Sequence, residues 1–369
     1  MKELYRLKNL ARIGVVALAS LLVWGVVAWC IPTFRAPESN HQLYTIRHQE
    51  LRDNNPLYTD LLLRSIKQHN GYLILGTSET KLKPEGNYFD FLNSDTALHC
   101  GFSVISGAGR TPCVYFPLIQ SNENVKDLKV IFYLNPSYGC SKLASSNTDY
   151  FNRYVSCFEY QKANHTKNQD VNNILKINKR NISFMDRIGD GLGYYVDLTR
   201  RKYYQDLRFH LHQAAFEKDL KWQDTMTFVS LPDHAPRPDS SQYRYDLNVL
   251  KSFDIHAYTL TPQPEESYRA DELRTMIRLC KERGVDIVFV AGPYNQIAYS
   301  QIYPSEVAKI QQVSKNIIQV LKEENATYID CTDLSTLLGT FDDWQHHSSY
   351  GAYLIYQRIK AYVLEKENY

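Results

Sequence analysis

Short apolar runs that stop at turn residues, alternating with stretches of helical period, constrain this chain more than any other feature. Leu73-Ile74-Leu75 stops at Gly76, residues 101–106 stop at Gly107-Ala108-Gly109, and residues 128–134 stop at Asn135-Pro136. Ile287-Val288-Phe289-Val290 leads into Gly292 to Asn295, and Thr327-Tyr328-Ile329-Asp330 forms a short fifth run. Apolar runs of this length, bounded by Gly, Asn and Pro, read as buried strands. Between them, residues 56–69 place Leu57, Leu61, Leu62 and Ile66 on one side, and residues 111–120 carry Pro112 where a first helical turn accepts it. Leu273, Met276, Ile277 and Cys280 repeat at helical spacing, with Gly284 placed to end that helix. Residues 305–324 present Val307, Ile310, Val313, Ile317 and Leu321 on one face, and a last helix starting near Ser349 turns Ala352, Ile355, Ile359 and Tyr362 inward. Strands alternating with helices predict an α/β fold, a mostly parallel five-stranded sheet covered on both faces.

A second constraint lies at the N-terminus. From Ile13 to Phe34 there is no charged residue, and these 22 residues are enough to cross a bilayer as a helix. Lys2, Arg6, Lys8 and Arg12 precede the run and Arg35 follows it, which places the N-terminus in the cytoplasm and the remainder outside. A cleaved signal peptide is the rival, but the run is long for that role and Trp29-Cys30-Ile31-Pro32-Thr33-Phe34 makes a poor cleavage site. The expected organisation is a cytoplasmic tip and transmembrane anchor over 1–35, a polar stalk over 36–55 and the first half of the α/β domain over 56–135. A helical and loop insertion over 136–264, rich in Tyr, Asn, Asp and Lys, then separates it from the second half over 265–369.

Composition narrows the partners. With 44% hydrophobic and 22% charged residues the chain reads as a folded body, and a net charge of +2 supplies no field for nucleic acid. The 28 tyrosines read as half-buried packing residues rather than as a sugar-stacking platform. No C-x-x-C pair or His/Cys cluster at zinc spacing occurs, so neither a metal nor a cofactor is expected. Six of the seven cysteines follow the anchor, and an oxidising compartment permits disulfides; Cys100 with Cys113 and Cys140 with Cys157 are the pairs closest in sequence.

Open α/β sheets place their sites at the carboxyl ends of strands. Gly76 to Glu79, Gly107 to Gly109, Asn135 to Gly139 and Gly292 to Asn295 all fall there, and the loop Asp343 to His346 opens the final helix. A serine hydroxyl is not ionised at neutral pH and needs a base, and the base needs a group that fixes its tautomer. Ser78 as nucleophile, His346 as base and Asp343 as its orienter satisfy that need, with adjacent His347 as a rival base and Asp342 as a rival orienter. The backbone N–H groups of Ser78 and Gly109 and the side-chain amide of Asn135 are the candidate oxyanion donors. Glu79 has three readings: a pair with a base in the insertion, an acid in a first helical turn, or a partner for a cationic group such as an amino-acid amine.

These pieces together resemble the SGNH/GDSL-like hydrolase superfamily, and within it the DltD family of D-alanyl-lipoteichoic acid biosynthesis. Gly76-Thr77-Ser78-Glu79 is similar to that family's Gly-Ser-Ser-Glu, and Asp343-x-x-His346 followed by Gly351 is similar to its Asp-x-x-His-x-x-x-x-Gly. Gly292-Pro293-Tyr294-Asn295-Gln296-x-x-Tyr299 resembles its Pro-x-Asn segment with a following Tyr. The resemblance covers the anchor and most of 70–135 and 270–365; the Gly-Asp-Ser opening and the Gly-x-Asn-Asp block of the superfamily are absent, with Asn135 standing in the latter's place.

The resemblance implies a three-layer α/β/α domain with a Ser78–His346–Asp343 triad and with Glu79, Tyr294 and Asn295 at the substrate. It further implies a membrane-anchored, extracytoplasmic serine acyltransferase or esterase. Its substrate would be an activated D-alanyl group, its acceptor a hydroxyl of a cell-envelope polymer such as teichoic acid, and its partner an MBOAT-type membrane acyltransferase. Two alternatives stand beside it: acetyl transfer or acetylester cleavage on an envelope or exported polysaccharide, and a non-catalytic anchored scaffold for an acyltransferase.

Overall fold

The computed structural model describes residues 2–31, 66–80, 86–106, 111–136, 229–236, 268–343 and 345–367, with 63, 64 and isolated positions between 169 and 211. The stalk, Gly107 to Gly109, Cys140, Cys157 and nearly all of the insertion expected over 136–264 lie outside the described residues.

Helix α1 (Lys2–Cys30) contains the segment Arg6–Cys30, long and apolar enough to cross a membrane, with a mean hydropathy of 2.3. Leu10, Ile13, Val16, Leu18, Leu21 and Val23 point in different directions around it and all stand exposed. A helix that is apolar all round offers no polar face to water.

Strands β1 (Tyr72–Gly76), β2 (Phe102–Ser106), β3 (Lys129–Leu134), β4 (Asp286–Ala291) and β5 (Tyr328–Asp330) form one sheet in the order β2-β1-β3-β4-β5. Every pairing is parallel, with Ile74 opposite Val104 on one side and Ile131 on the other. The described helices around the sheet are α2 (Tyr88–Ser94), α3 (Phe116–Ser121), α4 (Tyr268–Arg283), α5 (Gln296–Ile302), α6 (Val307–Glu323) and α7 (Ser349–Glu367). The expected strands are therefore present to within about a residue at their ends.

Side chains alternate across the sheet with the period of two that a strand imposes. Leu73, Leu75, Val130, Phe132 and Phe289 meet α3, α4 and α6 on one face. Tyr72, Ile74, Ile131, Tyr133, Val288 and Val290 meet α2 and α7 on the other. The central strands are thus buried on both faces, which is why their sequences are continuously apolar.

Local chemistry explains the helix ends. Asn87 caps α2: its side chain accepts from the Phe89 N–H at 3.2 Å, and the Asp90 carboxylate accepts from the Asn87 N–H at 2.9 Å. Gly284 ends α4 with a φ of +67°, a conformation that favours glycine. The stretch expected as a helix over 111–120 begins as a 3-10 turn (Pro112–Tyr115) before α3. On α6, Ile310, Val313 and Leu321 are buried as expected, while Val307 and Ile317 are only half-buried.

The suggested Cys100–Cys113 disulfide is not formed; both residues are thiols. The two residues flank opposite ends of β2, which spans about 16 Å, and a disulfide cannot bridge Cα atoms more than about 7 Å apart. They also belong to opposite faces: Cys113 is buried beside α3, with its sulfur 3.3 Å from Thr111 Oγ1, and Cys100 packs on the α2–α7 side.

The strand order positions the site. The chain steps outward from β1 to β2, then returns to place β3 on the other flank of β1. The order therefore reverses between β1 and β3, and the crevice beyond their carboxyl ends is where a doubly wound sheet exposes its loops to a ligand.

Candidate active site

Beyond β1 the backbone must turn within two residues. At Gly76 an added Cβ would lie 3.0 Å from Tyr133 Cβ and 3.1 Å from Thr80 Cγ2, so a side chain there would force its neighbours apart. The buried Tyr115 hydroxyl accepts from the Gly76 N–H at 3.3 Å, donates to the Gly76 carbonyl at 2.7 Å and lies 3.1 Å from the Ile105 carbonyl. One phenol thus ties the ends of β1 and β2 together. A 3-10 turn (Ser78–Thr80) follows, closed by the Thr80 N–H and hydroxyl, which donate to the Thr77 carbonyl at 3.2 and 2.8 Å.

That turn presents Ser78 to the loop before α7. Ser78 Oγ lies 2.9 Å from His346 Nε2, and His346 Nδ1 lies 2.6 Å from Asp343 Oδ2. The other carboxylate oxygen, Asp343 Oδ1, accepts from the backbone N–H groups of Gln345 at 2.8 Å and His346 at 2.6 Å. Asp343 therefore folds its own loop and orients the imidazole at the same time. Burial opposes its ionisation, but the His346 ring and the two N–H groups outweigh that and hold its carboxyl below the usual carboxylate range. With Nδ1–H donated to the carboxylate, the Nε2 lone pair faces the serine hydroxyl.

The rival assignments fall elsewhere. His347 is fully buried, its Nε2 lies 2.7 Å from the Tyr133 hydroxyl, and its ring packs on Phe341 with centroids 5.1 Å apart. Successive side chains of the loop point to opposite sides, so one histidine faces the serine and the next faces the core. The Asp342 N–H donates to the His346 carbonyl at 2.9 Å, which closes the loop.

Glu79 is fully buried behind the serine, and one of its carboxylate oxygens accepts from the Asn135 side-chain amide. Burial pushes its carboxyl up to about 7, against the opposing effects of His346 and the Asn135 hydrogen bond. Its second oxygen has no hydrogen-bond partner among the described residues. Asn135, the expected oxyanion donor just past β3, is thus held by Glu79 beside the β1 turn. Gly109 lies outside the described residues.

Tyr294 and Asn295, expected at the substrate, lie at the start of α5. Asn295 caps α5 by accepting from the Ala298 N–H at 3.0 Å, and its amide donates to the Asp343 carbonyl at 2.8 Å. Tyr294 is buried in a small cluster with Ala298, Tyr299 and Ile310, and its hydroxyl donates to Gln296 Oε1 at 2.9 Å.

Two further observations complete the geometry. A Cβ on Gly351 would collide with the Thr340 backbone, so the glycine five residues after His346 lets α7 start against the loop. Gln345, which no sequence signal marks, is 6% exposed and places its Nε2 3.2 Å from Ser78 Oγ and 3.2 Å from His346 Nε2. Among the described residues no group of three or more His, Cys, Asp or Glu side chains could hold a metal ion. No family model matches the chain, and no curated protein matches its sequence.

Proposed function

We propose that the chain is a membrane-anchored serine acyltransferase or esterase of the SGNH/GDSL-like type. The observation that carries this reading is the unbroken line from Ser78 Oγ to His346 Nε2 and from His346 Nδ1 to Asp343, with separations of 2.9 and 2.6 Å. Its place at the β1–β3 switch point of a five-stranded parallel sheet supports the same reading.

In the proposed reaction His346 Nε2 takes the Ser78 proton as Oγ attacks an activated acyl carbonyl, whose π electrons move to its oxygen. The intermediate collapses, the leaving group departs with the proton from His346, and an acyl-serine remains. An acceptor hydroxyl, or water, then gives its proton to His346, attacks the acyl carbon and releases Ser78. The Ser78 N–H, the Asn135 amide oriented by Glu79, and Gly109 are proposed to hold the oxyanion.

Resemblance to the DltD family points to a D-alanyl group, a hydroxyl acceptor on an envelope polymer of teichoic-acid type and an MBOAT-type acyltransferase as partner. The basic residues Arg6, Lys8 and Arg12 at one end of the apolar segment support an extracytoplasmic catalytic domain.

A serine-reactive phosphonate tests the central reading. The full-length protein in detergent should be labelled at Ser78, and Ser78→Ala should abolish labelling. A folded wild-type protein that takes up no label would overturn the enzyme reading in favour of a scaffold.

A further inference from the structure

We propose that Gln345 is a further catalytic residue, whose side-chain amide donates a hydrogen bond to the Ser78 oxygen as charge develops there. The inference rests on the serine-acyl reading above. Its geometric basis is independent of any motif: Gln345 Nε2 stands 3.2 Å from Ser78 Oγ, the atom that would make and break the acyl bond.

The identity of the atom at that place matters. An amide oxygen would accept the serine proton and compete with His346, whereas the nitrogen donates and leaves that proton to the histidine. The same nitrogen lies 3.2 Å from His346 Nε2 in the resting arrangement. Once His346 is protonated its Nε2–H is itself a donor, so the amide no longer has an acceptor there. The contact to Oγ is kept, at the moment that atom carries most charge. Hydrogen bonds to an ionised acceptor are stronger than those to a neutral one, so the contact gains strength between ground state and transition state.

The loop fixes this donor. The Gln345 backbone N–H donates to Asp343 Oδ1 at 2.8 Å, so the carboxylate that orients the base also sets where Gln345 leaves the backbone. The side chain is 6% exposed, so little water competes for the contact. No atom of Gln345 is transformed. Oγ loses its proton to His346 and bonds the acyl carbon, and on deacylation the same bond breaks while the proton returns to Oγ. The amide faces partial negative charge on Oγ in both steps.

The test uses the full-length protein in detergent with p-nitrophenyl acetate as acyl donor, following p-nitrophenol release against pH. Gln345→Met keeps the length and burial and removes the donor. It should lower kcat about 100-fold, the lower end of the range seen on deleting one transition-state donor, with KM and the pH midpoint unchanged. Gln345→Glu keeps the shape, replaces the donor with an anion beside His346, and should both slow the reaction and move its pH midpoint upward.

A kcat within twofold of wild type in either variant overturns the proposal. A loss in Gln345→Met that comes with a shifted pH midpoint also overturns it, because the residue would then act through His346. If the methionine variant loses its cooperative melt, the glutamate variant decides alone. A wild-type protein with no Ser78-dependent release overturns the serine-enzyme reading itself, a result distinct from failure of Gln345.

Discussion

Asp343 carries two duties on two oxygens. Oδ2 orients the imidazole, and Oδ1 accepts the N–H groups of Gln345 and His346 that shape the loop. Asp343→Asn presents an amide nitrogen that cannot accept. An amide oxygen kept toward the loop would leave the nitrogen facing His346 Nδ1 and would favour the wrong tautomer. The expected outcome is a loss of about 10³- to 10⁴-fold in Ser78 acylation rate, read with an activated ester, with only a modest loss of stability. Glu79 makes a different demand. Its carboxyl titrates near 7 in the folded protein against 4.5 when free, because it is buried. Between these values the native state holds more protons than the unfolded state, so stability falls as pH rises through this window and this contribution is flat above it. Glu79→Gln removes that dependence. Unfolding free energies from urea titration of variant and wild type should diverge in the variant's favour by roughly 3 kcal/mol at most between pH 4.5 and 8.

At the scale of elements, the start of α7 shows how tightly the loop and helix are joined. Gly351 faces the Thr340 backbone, and the Ser348 N–H donates to the Thr340 carbonyl at 3.0 Å. Gly351→Ala should destabilise the protein by about 1–3 kcal/mol through overpacking, seen as a lower thermal midpoint, and should slow acylation by moving the His346 loop. The five strands and the long helices α4, α6 and α7 were legible in the sequence because each presents a period, either a run of apolar residues or a repeating face. Helix α2 was not: Tyr88-Phe89-Asp90-Phe91-Leu92 is apolar on nearly every side, since all five are buried, and its start depends on the Asn87 cap. Ser78, Asp343 and His346 were legible because their spacing matches a chemical need. The choice between His346 and His347 was not, because it depends on Tyr133 and Phe341 receiving the second ring. Gln345 left no trace either, as a glutamine in a loop has no pattern until its neighbours are placed. The contact of Asn295 with the Asp343 carbonyl was not legible either, because it joins segments that only the fold brings together.

Across the whole molecule, the sheet is both the core and the ruler of the site. Phe289 lies fully buried in β4, its ring 5.8 Å from that of Phe132 on β3, in the core shared with α3, α4 and α6. Phe289→Ala should cost about 3–5 kcal/mol of unfolding free energy by denaturant titration, without touching any group of the site. Helix α1 adds a separate expectation. With Arg6–Cys30 long and apolar enough to cross a membrane, the full chain should stay with the membrane fraction through an alkaline wash and leave it only with detergent.

The division of the site between β1 and the loop before α7 has a last consequence. Ser78 sits on the turn that follows the first strand, and its partner His346 arrives from more than 250 positions later. A chain whose closing segment has not docked carries an ordinary, inert hydroxyl. On the proposed serine-enzyme reading the protein is its own safety catch: no inhibitory segment is needed to keep the serine from attacking carbonyls prematurely, because the docking itself would create that reactivity. Incorporation of a phosphonate along a denaturation series should therefore serve as a clock for the final docking of α7.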